Sequence, residues 1–206
     1  MILLFNGPPG CGKDAACEVL EKSGFTHLSF KHELYKSVCD FYKVDYDWFM
    51  IGYINRDIKE NKREQLLGWK TRRQAMIYVA ELYIKPAFGK GYYGKQAANQ
   101  IKSDKNYCIS DLGYLEELNE VANKVGADNV AIVQVEREGC DFSKDQRSYI
   151  GQVNEFSLPL YFDPKDTPKD NSYFIKAPED IRVYKIYNNS TLENFHSNVN
   201  HMKLIL

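Results

Sequence analysis

The stretch FNGPPGCGKDAA, residues 5–16, constrains this chain more than any other. Residues 2–6 form an apolar run that reads as a buried strand, and Gly7, Pro8, Pro9 and Gly10 turn it sharply. From Gly12 onward Ala16, Val19 and Leu20 recur at helical spacing until Ser23 and Gly24. Strand, glycine loop and helix in that order are the setting in which G-x-x-x-x-G-K binds phosphate, and Gly7, Gly12 and Lys13 fill the pattern. Glycines let backbone N–H groups, those of Gly10, Cys11, Gly12 and Ala15 among them, wrap an anion without Cβ clashes. The helix N-terminus adds partial positive charge, and Lys13 is placed to reach the β- and γ-phosphates of a nucleoside triphosphate such as ATP. A glycine turn that merely precedes a buried helix would not need the lysine.

Asp14 stands where such loops carry Ser or Thr. A carboxylate beside a triphosphate is unfavourable unless a divalent cation lies between them, so Asp14 is expected to ligate Mg2+, directly or through water. The alternative is that it only complements the helix N-terminus.

The rest of the chain extends this beginning into an alternating pattern. THLSF (26–30) reads as a strand, and Leu34, Val38 and Phe41 share one face of a helix. QAMIYVAELYI (74–84) predicts a helix ended by Lys85 and Pro86, and GYYGKQAANQIK another. NYCISDLGY (106–114) predicts a strand closing on Asp111, followed by the helical YLEELNEVANKVG and the strand NVAIVQVER (129–137). VYKIYNN (183–189) supplies the last strand, and STLENFHSNVNHMKLI a closing helix capped by Ser190 or Thr191. Such alternation predicts a single α/β domain, a central parallel sheet flanked by helices on both faces. Residues 138–180, polar, aromatic and rich in Pro, Asp and Lys, break the rhythm and read as a long excursion above the sheet.

A net charge of −1 and 44% hydrophobic residues describe an ordinary globular protein and argue against a general nucleic-acid binder. The opening MILLF is too short for a signal segment or a membrane span, so no membrane partner is expected. Five cysteines without a C-x-x-C pair suggest neither a disulfide framework nor a zinc site, and fit a reducing, cytoplasmic setting.

Against this neutral background, residues 55–73 carry seven basic and three acidic side chains, which reads either as a solvated helix face or as an anion site. Arg72, Arg73 and Gln74 open a helix there. Two arginines suit bidentate capture of a monophosphate, and a glutamine amide can read a base edge. Asp111 is placed to hold the magnesium shell or orient an acceptor, unless it is a helix cap. Arg137, at a strand end, and Arg147, within the excursion, are candidates to neutralise a moving phosphoryl group. Trp69, Tyr92 and Tyr93 are candidates to stack on a base.

From GPPGCGKDAA through TRRQAMIYVAE, YYGKQAA, YCISDLGYLEE and VQVEREG to YNNSTLENF, the chain resembles the deoxynucleoside monophosphate kinases of tailed bacteriophages. The most specific shared piece is Asp directly after the loop lysine. The resemblance implies a P-loop kinase fold and an enzyme that uses ATP and Mg2+ to phosphorylate a dNMP to the dNDP, acting in the host cytoplasm. It implies a core of 1–42, 105–137 and 181–206, a substrate-binding insertion at 43–104 and a lid at 138–165. It places Gly12, Lys13 and Asp14 at the triphosphate, Arg72 and Arg73 at the monophosphate, Asp111 at the strand end, Arg137 at the start of the lid and Asn188 near the adenine. The chain departs from the family at Ala15, usually Thr; at Gly113, usually Arg; at Arg147, more often His; and at FKHELYK (30–36), where Lys31 or Lys36 replaces the usual basic residue. Two alternatives stay open: a P-loop kinase for another small acceptor, of the dephospho-coenzyme A or phosphomevalonate type, and a nucleotide-binding protein without catalysis. An aromatic-rich surface also leaves a homodimer open.

Overall fold

The computed structural model describes residues 1–143, 145, 147–151 and 174–205. Its strands are β1 (Ile2–Asn6), β2 (Thr26–Leu28), β3 (Tyr107–Leu112), β4 (Val130–Glu136), β5 (Tyr149–Gly151), β6 (Phe174–Lys176) and β7 (Arg182–Tyr187). Its helices are α1 (Lys13–Glu21), α2 (Lys31–Tyr42), α3 (Tyr46–Ile54), α4 (Arg56–Asn61), α5 (Arg72–Val79), α6 (Lys85–Phe88), α7 (Tyr92–Asn99), α8 (Leu115–Val125) and α9 (Leu192–Ile205).

Five strands form an all-parallel sheet in the order β2-β3-β1-β4-β7. β1 lies at its centre, with Ile2 beside Tyr107 on one side and Val130 on the other. Every residue of β1 is buried, which is why its sequence is a continuous apolar run rather than an alternating one. Ile2 and Leu4 point into a core shared with Ala97 and Ala98 of α7 and Leu118 and Val121 of α8. Leu3 and Phe5 point the other way, onto Ala16, Val19 and Leu20 of α1 and Phe195, Val199 and Met202 of α9. The sheet is therefore covered on both faces, as the alternating pattern predicts.

The chain travels from β1 outward to β2, returns to β3 beside β1, then crosses to β4 on the other side. Direction reverses around β1, and in open parallel sheets the crevice at the carboxyl end of such a switch is where ligands bind. The glycine loop leaves β1 at that point.

A third cluster, built from Val38 and Cys39 of α2, Phe49 of α3, Leu67, and Ala75, Met76 and Val79 of α5, stands apart from the sheet. It draws α2 into the unit that the sequence places at 43–104, whereas α7 packs against the sheet layer. Residues 55–73 are not one helix: α4 ends at Asn61, and a short hairpin bridged between Glu64 and Lys70 follows. The helix expected to end at Pro86 instead begins at Arg72 and continues through a π-turn at Ala80–Ile84 into α6, ending at Gly89. A π-turn shifts the hydrogen-bond ladder by one residue, which accommodates a proline that has no N–H to donate. Thr191 Oγ accepts the N–H of Asn194 and caps α9. In the 138–180 excursion, β5 and β6 form a short parallel pair; much of the lid expected at 138–165 lies outside the described residues.

Candidate phosphate-binding site

The loop after β1 turns because two of its residues adopt conformations that glycine reaches without strain: Gly10 at φ 83° and Gly12 at φ 112°. Gly7 is required for a different reason. A Cβ there would lie 2.5 Å from the carbonyl oxygen of Val135 and 2.8 Å from Cys11 Sγ, so only glycine lets the loop pass this close to β4. Lys13 Nζ folds back and donates to the carbonyls of Gly7 and Pro8, each at 2.7 Å, with Cys11 Sγ at 3.5 Å. Burial depresses the Lys13 pKa; the Cys11 sulfur opposes this, and the nearby positive charges of Arg147 and Lys31 reinforce it. Burial likewise pushes the Cys11 thiol up, away from reactivity.

Two further sequence candidates close on the loop. Arg137, just beyond β4, donates from Nη1 to the carbonyl of Gly10 at 3.2 Å. Asn188, just beyond β7, donates from Nδ2 to the carbonyl of Cys11 at 2.8 Å and lies over Gly12, where a Cβ would come within 2.5 Å of it. Asn188 is thus a strut for the loop itself. Asp14 and Ala15 lie in the first turn of α1, with Asp14 exposed to solvent at its start.

Asp111 has a defined structural task. Its Oδ1 accepts the N–H of Phe30 at 3.0 Å, and its Oδ2 accepts the Ser29 hydroxyl at 2.7 Å and the N–H of Lys31 at 3.0 Å. The carboxylate caps α2 across the sheet, and Lys31 Nζ lies 3.9 Å away. It also stands one residue inside β3 rather than at its end. This is the helix-cap alternative, reached from a residue some 80 positions away in the chain.

The expected monophosphate cluster does not assemble as the sequence suggests. Arg72 is 2% exposed. Its Nε donates to Phe49 O at 3.0 Å, its Nη2 to Trp48 O at 3.2 Å and its Nη1 to Glu64 at 3.3 Å, while the guanidinium stacks 4.4 Å from the Trp48 ring. It occupies the space over Gly52, where a Cβ would meet it at 2.1 Å. Arg72 is therefore a fastener between α3 and α5, not a hand held out to a ligand. Gln74 forms a capping box with Thr71, its Oε1 accepting the Thr71 N–H at 3.0 Å, so its carbonyl is not available to a base. Arg73 is exposed and reaches Glu60 at 3.6 Å, and its charge is felt at Asp145. Of the aromatic candidates, Tyr93 is 4% exposed and belongs to the core, Tyr92 packs on Phe88 and Tyr93, and Trp69 sits at φ 60° on the exposed hairpin.

Arg147 lies beside Gly113, just after β3, and its charge is felt at Lys13. Its Nε and Nη2 grip Asp145 in a fork, the first at 2.8 Å, and its chain passes over Gly113, where a Cβ would come within 2.6 Å of Cδ. Burial works against its charge, but the Asp145 carboxylate more than offsets this and raises its pKa.

Sequence reasoning missed three residues here. Asn6, fully buried, donates from Nδ2 to Leu112 O at 3.0 Å and Ser148 O at 3.3 Å and accepts the Ile150 N–H at 2.8 Å. Its signal was a polar residue closing an otherwise apolar strand, immediately before the glycine loop. Glu117, in the first turn of α8, accepts the N–H groups of Gly113 and Tyr114, both at 3.1 Å, and burial pushes its pKa up to about 8. Asp145 had only its spacing from Arg147 to mark it.

Compared with known proteins, the chain matches no family model and no curated sequence.

Proposed function

We propose that the protein is a P-loop kinase that transfers the γ-phosphoryl group of ATP to a deoxynucleoside monophosphate, giving dNDP and ADP. The observation that carries this reading is the loop between β1 and α1: a glycine turn in which Gly7 admits no Cβ and Gly10 and Gly12 take positive φ, with Lys13 Nζ held 2.7 Å from two loop carbonyls at the switch point of a parallel sheet. An anion arriving there takes the Lys13 donors in exchange for neutral carbonyls, a stronger charge-assisted pairing. Arg137 and Arg147 add positive charge on the side of β4 and β3, and Lys31 at the start of α2.

The exposed carboxylate of Asp14 fits a magnesium shell that also includes substrate phosphates, since Mg2+ commonly takes only one or two protein carboxylates. Asp14 would hold the ion, whose chemistry would be to supply positive charge against the phosphates. Transfer is direct and in line, so the chain has only to position and stabilise: Lys13 and the arginines hold the phosphoryl oxygens, and Lys31 and Arg73 face the acceptor.

The test is ADP release from Mg·ATP in a coupled assay against dAMP, dGMP, dCMP, dTMP, hydroxymethylated dCMP and the matching ribonucleotides. Turnover with one or more dNMPs supports the kinase and reports its base choice. A second reading draws on the burial of Arg72 and the engagement of Gln74, which thin out the expected monophosphate site: an acceptor other than a dNMP, or nucleotide binding without transfer. ATP binding with silence across the panel favours it.

A further inference from the structure

Arg147 lies in an excursion from the sheet, which suggests a group that reaches the site only on closure. Its surroundings argue otherwise. Asn6 ends the strand that feeds the phosphate loop, and one amide group of this side chain bonds the carbonyl before Gly113 and the carbonyl after Arg147. The same side chain accepts the N–H of Ile150, and Gln134 of β4 donates to the carbonyl of that residue at 3.1 Å. Ile150 is fully buried in the sheet-layer core. The backbone on the C-terminal side of Arg147 is thus sewn to two strands of the sheet, β1 through Asn6 and β4 through Gln134.

The side chain is fixed as firmly. Gly113 leaves a slot that the aliphatic stem of Arg147 fills, and any side chain there would collide with it. Asp145, only 11% exposed, occupies Nε and Nη2 and so sets the plane of the guanidinium. Nη1 has no protein acceptor among the described residues. An arginine offers five N–H donors in a rigid fork, so a carboxylate behind it leaves the opposite edge aimed and available.

We propose that Arg147 is a resident part of the phosphate site, seated there by Asn6, Gly113 and Asp145 as positioning residues, and that its Nη1 edge takes a terminal phosphate oxygen of the bound triphosphate. This rests on the reading of the loop as a nucleotide site and adds a cation to it that is in place before any ligand arrives. The Arg147 charge already felt at Lys13 agrees with such proximity.

The experiment is a double-mutant cycle on Mg·ATP affinity by calorimetry with Gly113→Ala, Arg147→Ala and the double variant, thermal melts confirming that each is folded. Each single change should weaken binding about tenfold, the worth of a charge-assisted hydrogen bond, and the double variant should bind no worse than Arg147→Ala alone. Equal, additive losses from Gly113→Ala in both backgrounds overturn the proposal, because the glycine would then act on the fold rather than through Arg147. Asp145→Asn supplies a second arm: ATP affinity retained or tightened, since a negative charge has gone, while the transfer rate falls about tenfold through lost orientation. An unchanged or faster rate would make Asp145 a competitor for Arg147 instead of its support. If the unaltered protein binds no ATP, the nucleotide-site reading itself fails and this inference with it; binding with an additive cycle sinks the inference alone.

Discussion

Replacing Asn6 by Ala tests the hydrogen-bond junction most directly. The change removes one acceptor and two donated bonds, leaving the Ile150 N–H and the Leu112 carbonyl without their side-chain partner in buried surroundings and the Ser148 carbonyl in partly exposed ones. Each buried orphan costs about 1–3 kcal/mol, while the partly exposed carbonyl can turn to water, so a loss of about 3 kcal/mol is expected. Urea unfolding of Asn6→Ala against the unaltered protein measures it, and hydrogen exchange at the Ile150 amide shows where it falls. Asn6→Asp refines the test, because it keeps the acceptor for Ile150, cannot donate to either carbonyl and buries a charge. It should be worse than Ala at neutral pH and recover in acid, where the protonated carboxyl can donate once. A loss below about 1 kcal/mol for Asn6→Ala, with Ile150 still protected, would refute the claim that this side chain ties β5 to the sheet.

Lys13→Ala should cut phosphoryl transfer by at least about a hundredfold while leaving the urea midpoint nearly unchanged, since its bonds to Gly7 and Pro8 hold a loop rather than a core. Gly7→Ala should abolish ATP binding and lower stability by about 1–3 kcal/mol, because the new Cβ meets the Val135 carbonyl and Cys11 sulfur; calorimetry and a melt check both. Glu117 gives a pH signature: below its ordinary value of 4.5 folded and unfolded chains both hold the proton, and between there and about 8 only the folded chain does, so its contribution turns against folding as pH rises through that window and is fully adverse above it. Glu117→Gln should remove that slope, gaining on the order of 3 kcal/mol near pH 9 and little at pH 4, as read from denaturation at several pH values.

The layered sheet was legible because buried strands and amphipathic helices write their periodicity locally: β1, β3 and β4 are buried along nearly their whole length, and α1, α8 and α9 bury one face each, while the edge strands β2 and β7 were marked more by their place in the alternation. The glycine loop was legible for the same reason, its residues being contiguous and each required by backbone geometry. Tertiary partners were not. Nothing near Arg72 announces that Gly52, twenty positions earlier, opens a seat for its guanidinium, and nothing near Asp111 announces that α2 needs its carboxylate. Charge at a helix start reads alike whether it faces a ligand or a buried carbonyl. Pro86 misled because a proline ordinarily stops a helix, whereas the π-turn before it had already displaced the ladder.

Two arginines in this chain use the same device and reach opposite ends. Arg72 lies over Gly52 and Arg147 over Gly113, each in space that a Cβ would deny it. The accounting of donors separates them. Every nitrogen of the Arg72 guanidinium is bound by protein oxygen, two of the three acceptors being helix carbonyls, and the group is 2% exposed. A ligand could recruit it only by drawing its nitrogens away from both helix carbonyls and from Glu64, which would keep Lys62 at 3.0 Å, so binding there would break bonds as well as make them. Arg147 pairs two nitrogens with one carboxylate and keeps the third edge, so an anion there adds bonds without breaking any. Sequence position would have ranked Arg72, inside a basic helix start, above an arginine in a long polar excursion. An unspent nitrogen beside Gly113, on a side chain whose charge is felt at Lys13, reverses that order under the proposed reading.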